Sequence, residues 1–309
     1  MGRNNRYILP FFIPHRGCPH RCIFCDQVQV TGAQAPTAQE IAAAISAWQG
    51  ATLPEIAFYG GSFTALPVAE QAYYLDVTAR AFQEGRIAGV RVSTRPDAIS
   101  LEALAFLRRY NVDMVELGIQ SLEDNVLQKA ERGHSAAQSL TAARLLRESG
   151  FHWGVQLMPG LPGEDKNKVL PLAAKLFSFG PDTLRLYPTL VLAGTPLAKL
   201  WQAGHYQPLS LTEAVAVCRD LTILAEYYGV QVIRTGLQPT EEITWGKAVC
   251  AGPFHPAFGD LVVSALWRQK GDWLLKQLPD LQIFLLAPQD VAPFIGHKRL
   301  NWQIWRKSK

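Results

Sequence analysis

No apolar run in this chain approaches the ~18 residues that a membrane-spanning helix needs. The longest, Leu261 to Trp267, has seven residues and includes a serine. No secretory leader is expected either. Arg3 and Arg6 precede Tyr7-Ile8-Leu9-Pro10-Phe11-Phe12-Ile13-Pro14, but that stretch is short, carries two prolines and runs into His15-Arg16 without a small-residue cleavage site. Position 6 is Arg, which excludes an N-myristoylation signal after Met1-Gly2. A cytoplasmic chain with no membrane partner is expected. Charge is scarce as well. Only 18% of residues are charged and the net charge is +4, too little to argue for nucleic acid alone. The surplus is uneven: residues 237–309 hold nine Lys/Arg against six Asp/Glu. The five cysteines are odd in number and three cluster near the N-terminus, which does not read as a disulfide framework. In a reducing compartment that pattern indicates a metal or catalytic site. Repeats and low-complexity segments are absent, and 48% hydrophobic residues over 309 positions suffice for one large domain, or a large one with a small one.

What is present is alternation. Apolar β-type runs fall at Tyr7–Pro14, Glu55–Tyr59, Val90–Thr94, Met114–Ile119, Trp153–Met158 and Thr183–Tyr187. Between them, helix-type spacing of apolar residues recurs at 37–49, 66–84, 100–110, 136–149, 164–179 and 211–228. Thr37 ahead of Glu40, and Ser100 ahead of Leu101, mark helix starts. Strands alternating with helices predict βα units and a parallel sheet. Six units are too few for a closed eight-stranded barrel, so an open partial barrel or a doubly wound sheet fits, and an open partial (βα)6 TIM-like barrel over residues 1–236 is the expectation taken. Residues 237–309, with five of the eight tryptophans, read as a small C-terminal extension packed on it. Ligands of such sheets bind at the C-terminal strand ends. The notable loops lie there: 17–31, 60–64, 95–97, 120–121, 159–165 and 188–195.

The first of these loops carries Cys18-Pro-His-Arg-Cys22-Ile-Phe-Cys25, a C-x3-C-x2-C spacing directly after the first strand. Three thiolates on one tight loop suit three irons of an iron–sulfur cubane and leave the fourth iron open to a chelating molecule. The competing reading is a structural zinc site with His15 or His20 as fourth ligand. Gly60-Gly61-Ser62-Phe63 follows the second strand, and paired glycines let backbone approach a ligand closely, although a plain βα turn has the same sequence.

With the aromatic Phe24 before the third cysteine, these strings resemble the radical S-adenosylmethionine (radical SAM) superfamily. The resemblance implies a [4Fe-4S] cluster on Cys18, Cys22 and Cys25. It implies that SAM chelates the open iron and is cleaved to a 5′-deoxyadenosyl radical that abstracts hydrogen from a substrate. It also implies cofactor-binding roles for Phe24, Gly60, Gly61, Ser62, Gln120, Arg132 and Gly160. Gln120 would meet the ribose. Arg132 would hold the methionine carboxylate through its planar fork, with an exposed helix-end cation as the bland alternative. The turn Met158-Pro-Gly160-Leu-Pro-Gly163 would approach the adenine, or serve only as a rigid turn. An electron donor such as flavodoxin or ferredoxin is expected as a partner.

Within the superfamily the chain is most similar to the radical SAM core of the elongator catalytic subunit (Elp3) branch over about residues 7–236. The strings are Gly60-Gly-Ser-Phe-Thr64, Ser93-Thr-Arg-Pro-Asp97, Glu116-Leu-Gly-Ile-Gln-Ser121, Arg132-Gly-His134 and Met158-Pro-Gly-Leu-Pro-Gly163. About seventy residues follow, without a glycine-rich pyrophosphate loop, so no acetyltransferase domain is expected. The oxygen-independent coproporphyrinogen dehydrogenases are a second relative. They carry acidic residues where Ser93 and Gln156 stand, which disfavours tetrapyrrole chemistry. A tRNA or other RNA base is the leading substrate expectation, a tetrapyrrole or other small molecule the alternative, and a non-catalytic zinc or cluster protein that binds RNA the reading from another class. Cys218 reads as a buried structural thiol. Cys250 and His255 are candidates for a hydrogen donor and an acid/base, with packing favoured. The tail around Lys298, Arg299, Trp302, Trp305, Arg306 and Lys307 mixes cations with aromatics, as RNA-binding segments do, but an amphipathic end packed on the barrel is the stronger expectation.

Overall fold

A computed structural model describes residues 7–27, 32, 34–279, 281 and 283–307, the side chain of Lys307 excepted. Arg3, Arg6, residues 28–31 of the cysteine loop and the Lys307 side chain thus lie outside the described residues. The core alternates β1 (Ile8–Phe12), α1 (Ala38–Ser46), β2 (Glu55–Tyr59), α2 (Val68–Gln83), β3 (Gly89–Thr94), α3 (Leu101–Arg109), β4 (Val112–Gln120), α4 (Asp124–Lys129), α5 (Ala136–Glu148), β5 (His152–Leu157), α6 (Lys166–Phe177) and β6 (Thr183–Leu186). There follow β7 (Val191–Leu192), α7 (Pro196–Gln202), α8 (Leu211–Tyr227), β8 (Gln231–Thr235), β9 (Val249–Ala251), α9 (Phe258–Gln277), α10 (Pro288–Ile295) and α11 (Leu300–Lys307).

Seven parallel strands, in the order β1-β2-β3-β4-β5-β6-β8, form a curled half-barrel. This is one strand more than the sequence pattern indicated. Strand β8 (Gln-Val-Ile-Arg-Thr) is half-exposed along its length and so lacks a clear apolar run. The helix starts are those the caps specify. Thr37 and Glu40 form a capping box at α1, and Ser100 accepts the Ala103 N–H at α3.

Alternation along each strand divides the sheet into two faces. Phe58, Val92, Val115, Trp153 and Val155 point to the helices and fill the main core with Leu75, Leu107, Leu146, Leu176 and Leu221. The opposite face lines the lumen and is polar. There Glu55 and Tyr59 of β2, Arg91 of β3, Glu116 of β4 and Arg185 of β6 meet. The extension is more regular than the sequence indicated. Helices α9 to α11 pack against one another, α9 also packs against α8, and β9 pairs antiparallel with β7. No helix of the described residues is long and apolar enough to cross a membrane.

Candidate active site

The cysteine loop leaves β1 at the open end of the half-barrel. It is pinned at both ends. Ile13 N–H donates to Tyr59 O (2.8 Å), Ile23 N–H to Ala130 O (3.2 Å) at the end of α4, and Leu197 N–H of α7 to Ile23 O (2.9 Å). Cys22, Ile23 and Phe24 are buried in a second apolar cluster with Val126, Leu161, Val191, Leu197 and Tyr206. Phe24 is therefore a wall of the loop's own pocket.

The Gly60–Gly61 turn interlocks with this loop. Both glycines have positive φ, +74° and +58°. A Cβ on Gly61 would stand 2.2 Å from Arg16 O, so glycine here is required first by the neighbouring loop. A Cβ on Gly17 would likewise meet Ser62 O at 2.2 Å. Ser62 N–H donates to Arg16 O (2.8 Å). Gln27 completes the clip: its Oε1 accepts from His15 N–H (2.6 Å) and from Gly61 N–H (2.7 Å). Ser62 is fully buried, and its hydroxyl bonds Thr94 Oγ1 (3.0 Å) and accepts the Arg95 N–H (3.2 Å). Its side chain thus ties β2 to β3, and its backbone is engaged as well, since its carbonyl accepts the Ala65 N–H (3.1 Å).

Gln120 ends β4 in a left-handed conformation, φ +69°, next to a register shift. Its Oε1 accepts from Gln156 Nε2 (3.0 Å), so the two amides form one polar ledge above the lumen. Gly160, φ +91°, has both peptide groups engaged: its N–H donates to Glu164 Oε2 (2.6 Å) and its carbonyl accepts from Tyr206 (2.6 Å). Burial pushes the Glu164 carboxyl up to about 7, helped by Glu123 and opposed by the Gly160 N–H. Sequence reasoning passed over Glu164, since a Gly-Glu at a helix start reads as ordinary capping.

Arg132 is buried, which removes the exposed-cation alternative. Its Nη1 donates to Cys22 Sγ (3.2 Å) and its Nη2 to Gly118 O, while Nε has no partner. His134 is also buried. The Ile119 backbone lies beside it, yet neither ring nitrogen makes a well-formed hydrogen bond. Burial and the adjacent Arg132 push it down to about 3, so the imidazole is neutral.

Among the described residues no three His, Cys, Asp or Glu side chains gather tightly enough to hold a metal ion. The sulfurs nonetheless act on one another. Burial first, then Cys22, raises the Cys18 thiol against the pull of Arg132 and Arg95. Burial, with Cys22 and Cys18 behind it, pushes Cys25 up to about 12. A cubane takes one thiolate per iron corner, so it asks for spaced sulfurs. The donor set fits such a group: three thiols on one loop, a buried guanidinium on one sulfur, and further buried donors without partners. Loading it would release the thiol protons.

Below the ledge, Glu116 accepts from Arg91 Nη1 (2.5 Å), Arg185 Nε (2.7 Å) and Nη2 (3.1 Å), and Tyr59 OH (3.3 Å). Arg91 also reaches Glu55 (2.6 Å). Burial raises the Glu116 carboxyl, but Arg185 and Arg91 outweigh it and the net shift is downward. Cys250 on β9 packs half-buried against the apolar cluster of the cysteine loop. His255 instead accepts the Ala257 N–H at Nδ1 (3.0 Å) and sits edge-on to His297, so the structure does not link it to Cys250. Cys218 is fully buried in the main core.

This half-barrel, with its cysteine loop after β1, matches the family model of the Radical SAM superfamily over residues 12–176 and that of the Radical SAM C-terminal domain over 181–268. The chain belongs to the radical SAM superfamily, whose members use a [4Fe-4S] cluster and SAM, and it is a radical SAM enzyme. It is 35% identical over 166 residues to a tRNA uridine(34) acetyltransferase of Dehalococcoides mccartyi, covering 52% of this chain and 34% of that protein. Human Elongator complex protein 3 is 30% identical over 185 residues, 52% of this chain and 34% of its own. The chain thus spans about a third of the length of these curated relatives. Among solved structures it resembles Methanocaldococcus infernus Elp3 lacking residues 1–46, with TM-score 0.66, 22% identity and coverage of 86% of this chain and 63% of the other. Escherichia coli coproporphyrinogen III oxidase (HemN) gives TM-score 0.54 and 19% identity over 73% and 54%.

Proposed function

We propose that this enzyme holds its cluster on Cys18, Cys22 and Cys25, cleaves SAM at the open end of the half-barrel, and abstracts hydrogen from a base of tRNA. The observation that carries the site is convergence. The cysteine loop, the Gly60–Gly61 turn, Gln120 at the end of β4 and Arg132 meet at one rim, with Arg132 already on Cys22. When bound, the cluster and SAM supply a reducing electron and a carbon radical, which no side chain provides. The chain's residues do the rest. Phe24, Val126, Leu161 and Tyr206 keep water from the cysteine loop. Arg132 neutralises thiolate charge and keeps an unpaired N–H for an incoming carboxylate. Gln120 and Gln156 offer amides to a ribose. A low-potential donor such as flavodoxin or ferredoxin supplies the electron.

The tRNA substrate is supported by the tRNA-acting relatives and by the tail. Lys298 and Arg299, in the turn before α11, and Trp302 and Arg306 on α11 are exposed, and none of the three cations is ion-paired among the described residues. Trp305 instead packs on Phe294 and donates to Asp272 (2.6 Å), so only Trp302 is free to stack on a base. Acetyl transfer is not part of the proposal.

Anaerobic reconstitution tests the site. Four iron and four sulfide per chain, lost in Cys22→Ser but kept in Cys218→Ser, are expected, because serine is a poor soft ligand. One zinc per chain instead would overturn the cluster assignment. For the substrate, a tRNA that raises 5′-deoxyadenosine formation, with one modified nucleoside missing from the tRNA of a deletion strain, is expected. An unaltered nucleoside profile would overturn the tRNA assignment alone.

A further inference from the structure

Arg95 and Asp97 belong to the Ser93-Thr-Arg-Pro-Asp97 string, for which the proposed chemistry gives no role. Arg95 is 2% exposed. Two of its three guanidinium nitrogens grip Asp97: Nε donates to Oδ1 (3.0 Å) and Nη2 to Oδ2 (3.1 Å). The third, Nη1, is buried and has no partner. The residue is fixed at its backbone as well, since its N–H donates to Ser62 Oγ (3.2 Å), directly after the Gly60–Gly61 turn. A charged N–H in the interior without an acceptor is costly. The chain accepts that cost here in a residue held rigidly on both other sides.

The backbone of Arg95 is held by Ser62 Oγ, and Ser62 O lies 2.2 Å from where a Cβ on Gly17 would stand, so the Arg95–Asp97 string adjoins the residue that precedes Cys18. Arg132 occupies the neighbouring corner, with Nη1 on Cys22 Sγ. Two buried guanidinium groups therefore border the cysteine loop, one committed to a sulfur and one with its free donor still unused. A thiolate-bound iron–sulfur cluster is anionic and rich in sulfur acceptors, which is the kind of partner a buried charged donor needs.

We propose that Arg95 is a hydrogen-bond donor to the cluster at its Cys18 corner, and that Asp97 is the positioning residue that holds the guanidinium fork in plane. The proposal rests on the assignment of Cys18, Cys22 and Cys25 as cluster ligands. One-electron reduction adds a negative charge to the cluster while no bond to protein changes. A charged donor at a sulfur stabilises the reduced form more than the oxidised form, so Arg95 raises the cluster's reduction potential.

The test is a redox titration of the reconstituted full chain without SAM, followed by SAM-binding calorimetry. Arg95→Leu is expected to retain four irons and to shift the midpoint potential negative. Arg95→Lys, which keeps the charge and loses the fork, should shift it less. Arg95→Leu strands the Asp97 carboxylate, so the double variant Arg95→Leu/Asp97→Asn, which preserves net charge, is measured beside it. A negative shift in the double variant supports the proposal even if the single variant fails to assemble. A wild-type potential in both Arg95→Lys and the double variant overturns it. So does an unchanged potential with SAM affinity lowered tenfold or more, which would assign Nη1 to the SAM carboxylate. A wild-type chain that takes up no cluster would overturn the ligand assignment itself, and is distinguished by iron analysis before any variant is made.

Discussion

Replacing Glu116 by Ala should destabilise the fold more than most single changes in the lumen. Arg91 would keep Glu55 at 2.6 Å. Arg185 would lose its only carboxylate among the described residues and keep Tyr59 OH (2.7 Å) and Tyr187 OH (3.4 Å). Breaking a buried pair from one side costs about 3–5 kcal/mol, because the remaining charge is left uncompensated. At about 2.1 cal/mol/K per residue, a chain of this length unfolds with an entropy of about 0.65 kcal/mol/K, so Tm should fall by about 5–8 °C. Circular dichroism melts of anaerobically purified protein read this directly. The double variant Glu116→Leu/Arg185→Met should recover much of the loss, since apolar replacement of a whole buried pair is often near neutral. The sign with pH is also fixed. The Glu116 carboxyl is held below its ordinary value, so its contribution is present above the unfolded value of 4.5 and is lost as pH falls through the lower folded value. A Tm within about 2 °C of wild type for Glu116→Ala, or an unchanged acid limb, would refute this account of the lumen.

Four further outcomes follow from the site. Arg132→Ala should weaken SAM binding by about 1.5–3 kcal/mol, roughly tenfold to over a hundredfold, and unchanged calorimetry would return Arg132 to a purely structural role. Gln27→Ala should assemble the cluster yet lose about 1–3 kcal/mol in SAM affinity as two hydrogen bonds to the interlocked loops go, while Gln27→Glu, which still accepts both, should rescue it. Glu164 has a folded value of about 7 against 4.5 unfolded, so its contribution is complete below 4.5 and lost as pH rises through 7; Glu164→Gln should flatten stability over that window, and a wild-type slope would count against it. Substituting Lys298, Arg299 and Arg306 together by Gln should reduce the salt slope of single-stranded RNA binding by about 2, at about 0.7 per phosphate contact, whereas Trp305→Ala should lower Tm; an unchanged slope would favour a small-molecule substrate.

The sequence made the six βα units and the loop positions legible because each strand to β6 carries apolar residues on the helix side. Strand β8 did not stand out, since its Arg234 faces the lumen beside Arg185 and its remaining residues are half-exposed. The cysteine loop stood out by its spacing, its place after the first strand and Phe24 together. The role of Ser62 was not legible: its hydroxyl is spent on Thr94 and Arg95, and that pairing depends on β2 and β3 being neighbours. Gln27 was invisible for the same reason, since it acts on His15 and Gly61 at once. Tertiary hydrogen bonds between loops leave no periodic trace. In the tail, periodicity could not separate Trp302 from Trp305, three positions apart; packing against Phe294 and Gly271 buries one and leaves the other exposed.

The division expected at residue 236 is crossed by packing on both sides. Strand β9 lies beyond it, yet pairs with β7 and brings Cys250 and Ala251 against the apolar cluster that surrounds Cys22 and Phe24. Gly252, φ +104°, lets the chain pass Thr189 and Leu190 so closely that a Cβ would stand 3.0 Å from Thr189 O. The apolar wall beside the cysteine loop is thus built in part by the extension. An iron–sulfur site gains from that wall twice: its hydrogen bonds strengthen in a dry setting, and solvent exposure no longer sets its potential alone. A half-barrel that ended at β8 would have the right residues on the right strand ends with this side of the loop open. On the proposed function the extension therefore contributes to the active site even though none of its residues need touch the cluster.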